Sequence, residues 1–304
     1  MKGDYFMKTI AFIGVGNMGF GMAKNLLEAG YTVKGSDVNP AALKRLEEAG
    51  GIPCATAAEA GVDADIAFIM VANAAQANAV LQGENGLEAT MKPGSTVIIT
   101  ATIGIKGAQE IEARLNEKGI RMIDSAVSGG QVGANAGTLT IMASGKKETY
   151  EDVKPEFEVI GKSLYFVSEK VGMGQVTKSC MQVLVATTFA SMFEVMVLGA
   201  KAGADPESLL EVIGDSIVGS NLFRQNVRRI IDRDFTGAGA NVGITYKDVC
   251  LSLDLAKELG VPMFTASSAK EMLRCGLSKF PTEDNACCVK ILEDIAGTVV
   301  KKLD

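Results

Sequence analysis

The chain has 304 residues, enough for two domains with separate cores, and its 47% hydrophobic and 22% charged content is that of a globular protein. A net charge of −6 argues against a nucleic-acid or anionic-membrane partner. Histidine is absent, which excludes His-assisted nucleophiles, His-ligated zinc and a His general base, so proton transfer falls to Lys, Tyr, Cys or a shifted carboxylate.

Residues 1–6 precede a second methionine and read as a tail; the N-terminal sequence lacks the pattern of a signal peptide, and a cytoplasmic protein is expected. Residues 9–13 form an apolar run that stops at Gly14-Val15-Gly16-Asn17-Met18-Gly19, and helical periodicity follows to Gly30. Strand, glycine turn and helix stand in the order a dinucleotide fold requires. Gly14 allows the tight turn, Gly16 lets backbone approach a pyrophosphate, and Gly19 lets helix pack on strand, while the helix N-terminus with Asn17 and Met18 offers free N–H groups. A lone G-x-G-x-x-G is weak in a chain with 34 glycines; its context strengthens it. A second strand, 31–36, ends at Asp37, eighteen residues past Gly19, where a carboxylate accepts hydrogen bonds from ribose hydroxyls and repels a 2′-phosphate. NAD is therefore expected over NADP. The competing reading is a turn aspartate before Asn39-Pro40.

The pattern repeats through strand 65–71 and helix 74–81, strand 96–100 and helix 105–118, and strand 120–123, the alternation of a parallel sheet covered on both faces. The loops carrying Ala72 and Asn73, and then Thr102, should lie at the carboxyl edge with the cofactor. Next comes a stretch from Asp124 to Gly137 with four glycines in nine positions, read either as a nest of amides for a carboxylate, aided by the Ser128 hydroxyl, or as a glycine-rich hairpin into a strand at 138–143. A helix at 147–160 and a strand at 164–167 complete this half.

Gly172-Met173-Gly174-Gln175-Val176-Thr177-Lys178 then opens a long apolar helix to about residue 202. Lys178 and Gln182 sit four apart on one face. Alone, Lys178 reads as a lysine with a packed stem and wet ammonium. The most apolar part, 181–193, is too short to span a bilayer and reads as a core helix, so apolar all round that a subunit interface is expected, as a homodimer or homotetramer. Helices follow at 206–213, 220–232, 245–259, 266–275 and 282–302. The expected fold is α/β then all-α: a Rossmann doubly wound NAD-binding domain over 7–170, and a helical domain over 171–304 that begins with the long interdomain helix. Arg224, Arg228, Arg229 and Arg233 read as a solvated helix face. The six cysteines lack C-x-x-C spacing and read mostly as reduced core thiols; no metal site is expected.

Together these segments resemble the β-hydroxyacid dehydrogenases, the family of 3-hydroxyisobutyrate, tartronate semialdehyde and threonate-type enzymes. The resemblance covers nearly the whole chain through four ordered motifs: Gly14-x-Gly16-x-x-Gly19 with Met18; residues 124–137 around Ser128-Gly129-Gly130; Gly172-x-Gly174-x-x-x-Lys178; and Lys247-Asp248. Glu283-Asp284-Asn285-Ala286 matches the family's C-terminal region. The resemblance implies that Lys178 is the general acid/base, that Ser128, Gly129 and Gly130 bind the substrate carboxylate, that Gln182 orients the substrate, and that Lys247 lies near the nicotinamide end. It implies hydride transfer between NAD and a small 3-hydroxy acid or its semialdehyde form, with the branch acting on four-carbon sugar acids nearest. Met181, Ala126 and Ile103 depart from the usual family residues Asn, Pro and Ser or Thr. The competing readings are a decayed NAD(H)-binding sensor or scaffold, a 6-phosphogluconate-type enzyme and an imine-reducing relative.

Overall fold

The computed structural model describes residues 8–236 and 241–303, so the tail at 1–6 lies outside the described residues. The chain divides between Lys178 and Ser179 into two compact units.

In the first unit, β1 (Thr9–Ile13), α1 (Asn17–Glu28), β2 (Thr32–Ser36), α2 (Pro40–Glu48), β3 (Ile52–Pro53), α3 (Ala57–Gly61), β4 (Ile66–Ile69), α4 (Ala74–Leu81), β5 (Thr96–Ile99) and α5 (Gly104–Glu117) alternate. β6 (Arg121–Ser128), α6 (Gly130–Ala136), β7 (Leu139–Gly145), α7 (Lys147–Ile160) and β8 (Gly161–Ser168) follow. The strands form one sheet in the order β3-β2-β1-β4-β5-β6-β7-β8. Strand residues alternate between its faces: Ile10, Phe12, Phe68 and Ile98 enter one buried cluster, while Ala11, Ile13, Ile69, Val97 and Ile99 enter another. Two covered faces make the strands continuously apolar, and Phe12 stacks on Phe68 at 5.5 Å between centroids.

Two expectations are corrected here. The sheet is not wholly parallel, because β6 and β7 pair antiparallel, from Ile123↔Gly145 to Ser128↔Thr140. The glycine stretch between them, expected as a hairpin or a nest of amides, holds the short helix α6, with Gly129 at φ +133° before it and Gly137 left-handed after it. α2 and α3 also form where no helix was expected: Asn39 caps α2 by accepting from Ala41 N, with Pro40 next, and the Thr56 hydroxyl accepts from Glu59 N at the start of α3.

α8 (Met173–Lys201) is one continuous 29-residue helix, and by length and composition it is long and apolar enough to cross a membrane, which corrects the expectation that its apolar run is too short. The second unit continues with α9 (Pro206–Asp215), α10 (Asn221–Asp232), α11 (Val242–Leu259), α12 (Phe264–Lys279) and α13 (Val289–Ala296). Asp205, Ser220 and Asn241 cap α9, α10 and α11. Its core gathers Phe189, Phe193, Met196, Val227, Ile230 and Leu273. The single helix expected over 282–302 is broken: a 3-10 turn at Asn285–Cys288 precedes α13, and Gly297, left-handed at φ +61°, ends it.

The arginine cluster is not a plain solvated face. Arg224 and Arg228 pair with Asp215 and Glu207 near the surface, but Arg229 and Arg233 reach Asp284 and Glu293, acids only 3% and 4% exposed. The cysteines divide likewise: Cys54, Cys287 and Cys288 are buried free thiols, while Cys180 and Cys275 are exposed and Cys250 is intermediate.

Candidate functional site

Parallel pairing of β2, β1, β4, β5 and β6 puts their carboxyl ends on one edge of the first unit. Ile13 is level with Ser36 and Ile69, and Ile99 with Asp124. Gly14 follows β1 at φ +88°, donating its N–H to Ser36 O at 2.9 Å. A Cβ on Gly14 would overlap the Met70 carbonyl, and one on Gly19 the Gly14 carbonyl, whereas one on Gly16 would meet nothing within 4 Å. Gly14 and Gly19 are thus demanded by packing, and Gly16 leaves backbone bare to open space. Gly16 stands at the N-cap of α1 with no side-chain cap, and the first turn holds no acidic residue, so its leading amides and dipole favour an anion. Exposed Asn17 and half-buried Met18 occupy that turn. These residues fit a dinucleotide pyrophosphate.

Asp37 is half-buried just beyond β2, and its Oδ1 accepts from Asn39 N at 2.8 Å. The turn reading of this aspartate thus holds for one oxygen, while the residue still stands at the strand end that a ribose contact needs. Exposed Ala72 and Asn73 follow β4; Asn73 caps α4 by accepting from Gln76 N, and Ala72 N donates back to Gln76 Oε1 at 2.8 Å. Thr102 is half-buried between β5 and α5.

β6 runs four residues past the level of the β5 end, roughly 13 Å at the rise of an extended strand, and delivers half-buried Ser128 to the start of the Gly129-Gly130 turn. Gly130 has φ +59°, and a Cβ there would face open space. Lys178 lies in the second turn of α8 and is 8% exposed.

Beneath the edge lies a buried polar group that sequence reasoning did not assign a role. Asp124, 0% exposed, accepts at Oδ1 from Gln175 Nε2 (2.6 Å) and at Oδ2 from Gln175 N and Ser144 Oγ (both 3.1 Å). Ser144 Oγ in turn accepts from Gly174 N at 3.0 Å. Side chains of β6 and β7 thereby cap α8. Gln175 Nε2 also donates to Ala101 O (3.1 Å), and its Oε1 accepts from Ile103 N (2.9 Å) and Gly104 N (3.1 Å). Burial pushes the Asp124 carboxyl up to about 6 against the lowering effect of these donors. Ile103 itself is 4% exposed and packs in the core, an apolar anchor whose backbone N–H holds Gln175.

In the second unit the structure brings Gln182 and Lys247 together through Asp248. Gln182 Nε2 donates to Asp248 Oδ2 at 2.7 Å, and Lys247 Nζ stands 3.0 Å from Oδ1, an ion pair without hydrogen-bond alignment. Asp248 is 4% exposed and Gln182 is 9% exposed. Buried Ser252 donates to Asp248 O at 2.8 Å one turn later.

Comparison with known proteins identifies the family. Residues 9–172 match the family model described as the NAD-binding domain of 6-phosphogluconate dehydrogenase, and residues 172–292 match the model for the NAD-binding domain of NADP-dependent 3-hydroxyisobutyrate dehydrogenase. The L-threonate dehydrogenase of Cupriavidus necator is 37% identical over 289 residues, covering 95% of this chain and 97% of the other. The chain belongs to the β-hydroxyacid dehydrogenase family, the 3-hydroxyisobutyrate dehydrogenase-like enzymes. The L-threonate dehydrogenase of Pectobacterium atrosepticum is 36% identical, over 94% of this β-hydroxyacid dehydrogenase and 95% of its own length. The crystal structure of 3-hydroxyisobutyrate dehydrogenase from Salmonella typhimurium superposes with a TM-score of 0.84 at 35% identity, covering 93% of this chain and 99% of that one. As a β-hydroxyacid dehydrogenase the protein is an NAD-binding oxidoreductase of small hydroxy acids, with the Rossmann-like unit followed by a helical one.

Proposed function

We propose that this enzyme transfers hydride between NAD and a small 3-hydroxy acid, with Lys178 as general acid/base. The observation that carries the assignment is the burial of Lys178, at 8% exposure, near the start of the helix that Asp124 and Ser144 cap. A buried lysine needs a task, and histidine, the usual base, is absent from the chain. When bound, NAD supplies the hydride acceptor. Lys178 takes the proton from the C3 hydroxyl during oxidation, and in reduction its ammonium returns it. Ser128, Gly129 and Gly130 hold the substrate carboxylate, and Gln182, fixed through its Nε2 by Asp248, keeps its carbonyl oxygen to orient the substrate. Gly14, Gly16, Asn17, Met18 and Gly19 hold the pyrophosphate, Asp37 the adenosine ribose, Ala72, Asn73 and Thr102 line the cofactor edge, and Lys247 serves the nicotinamide end. Asp37 favours NAD over NADP. Similarity to L-threonate dehydrogenases across nearly the full length favours a four-carbon sugar acid.

The protein is read as soluble and cytoplasmic, with α8 as a core helix. Leu184, Val195 and Leu198, which are 68%, 42% and 71% exposed, recur on one face of α8, and a second copy of the chain is the natural cover for that stripe, as a homodimer or homotetramer; light scattering gives the number.

The test is initial rates with NAD⁺ and with NADP⁺ on L-threonate, D-threonate, D-erythronate, D-glycerate, 3-hydroxyisobutyrate and 3-hydroxypropionate. Lys178→Ala should lower turnover by about 10²- to 10⁴-fold while NADH binding is retained. Near-normal turnover in that variant removes Lys178 from the chemistry.

A further inference from the structure

Resting on the reading of Lys178 as the acid/base, we infer that Gln175 is a positioning residue whose side-chain amide, aimed by Asp124, fixes the turn at residues 101–104 against the first turn of α8 and so sets Lys178 relative to Thr102. The amide of Gln175 is 1% exposed and every one of its hydrogen-bonding positions is used. Its Nε2 donates to Asp124 Oδ1 and Ala101 O, and its Oε1 accepts from Ile103 N and Gly104 N. These partners fix the orientation of the amide, because a flip would set donors against donors and acceptors against acceptors. One side chain thus grips the backbone on both sides of Thr102.

The other end of the strut is equally fixed. Asp124 takes Gln175 N as well as its side chain, and Ser144, hydrogen-bonded to Asp124, takes Gly174 N. Gly174 lets the helix backbone approach this closely, since a Cβ there would overlap the Met142 carbonyl oxygen and sit 2.8 Å from Asp124 Oδ2. Lys178 follows Gln175 by three residues in the same helix, less than one turn. A shift of the 101–104 turn relative to Gln175 therefore changes the distance between Thr102 and the lysine, and misplacement by an ångström is enough to cost about 100-fold in rate.

Gln175→Leu keeps the bulk and removes all four side-chain bonds. Amide hydrogen exchange at residues 103 and 104 should quicken at least about 10-fold, the loss expected for one net hydrogen bond. With L-threonate, or the panel acid that turns over fastest, kcat should fall about 10- to 100-fold and the primary isotope effect from deuterium at C3 should rise, while KM and NADH affinity change by less than about 3-fold. A merely structural role would lower the melting temperature and leave the isotope effect of the folded fraction alone. Gln175→Glu is the second variant: it keeps an acceptor for residues 103 and 104 but, with at most one proton to donate, cannot serve Ala101 and Asp124 together, and it should show the same rise in isotope effect. Unchanged exchange at 103 and 104, or unchanged kcat and isotope effect in a folded variant, overturns the inference. Lys178→Ala measured alongside separates the two ideas: if it is inactive while the Gln175 variants behave as wild type, only the strut fails, and if it retains turnover, the acid/base reading itself is lost.

Discussion

Replacing Asp124 by Asn should change how stability depends on pH, with a sign that follows from burial. The carboxyl has an ordinary value of 3.8 and is pushed up to about 6 in the fold. Below pH 3.8 both folded and unfolded chains hold the proton, and the group contributes no difference. As pH rises from there to about 6, the unfolded chain ionises first, so the fold loses stability. At 1.36 kcal/mol per pH unit the interval corresponds to a deficit of about 3 kcal/mol above pH 6. Between pH 4 and pH 7 the integrated change is roughly 2 to 3 kcal/mol. Asn does not titrate, and whatever it loses in hydrogen bonding to Gln175 and Ser144 is independent of pH. The stability of the wild type relative to Asp124→Asn should thus fall across that window, by roughly 5–10 °C in melting temperature at 2–4 °C per kcal/mol. Thermal melts of both proteins followed by circular dichroism at pH 4, 5, 6 and 7 measure it. Parallel curves, with a constant gap between the two proteins, would refute the burial argument.

Gly16 and Gly19 should part company when each is changed to Ala. Gly16→Ala meets open space, so its melting point should stay within about 2 °C of wild type while NADH affinity, read by fluorescence titration, drops at least about 10-fold; Gly19→Ala drives a methyl into the Gly14 carbonyl and should lower the melting point directly. Arg233→Ala strands Glu293, which Arg233 grips through two nitrogens at 2.5 and 2.9 Å and which also holds Val300 N at 2.8 Å. Because Arg233 is only partly exposed, the loss should be about 2–4 kcal/mol, seen in urea melts, and a change below about 0.5 kcal/mol would show the pair to be idle.

The part of the fold that was legible in the sequence is the part whose causes are local. Gly14, Gly16 and Gly19 announce a strand, a turn and a helix within a few positions, and Ile10 to Ile13 carry the continuous apolar character of a strand buried on both faces. The antiparallel turn of β7 was missed, although chain length held the signal: only ten residues separate Ser128 from Leu139, fewer than the dozen or more a parallel crossover needs. The break at Gly297 was read through because the apolar residues keep their spacing across it. The hydrogen-bonded group of Gln175 and Asp124 was not legible in any local sense. Gln175 stands inside the stretch that drew attention to Lys178, yet its side-chain partners lie 51 to 74 residues earlier in the chain. Asp124 and Asp248 were visible as motif members, and only their burial reveals that they support other side chains.

The extension of β6 beyond β5 makes that strand a measuring rod. Asp124 and Ser128 stand on it four residues apart and, because side chains alternate, project from the same side, with Ala126 between them. The rod is held over its whole upper length by antiparallel pairing to β7. Altering the residues around Ser128 would reshape the proposed carboxylate-binding end without touching the hydrogen bonds of Asp124 below, whereas inserting or removing a single residue between them would turn one of the two side chains to the opposite face. A single-residue change in the length of β6 is therefore far more disruptive than a substitution at its tip or in α6.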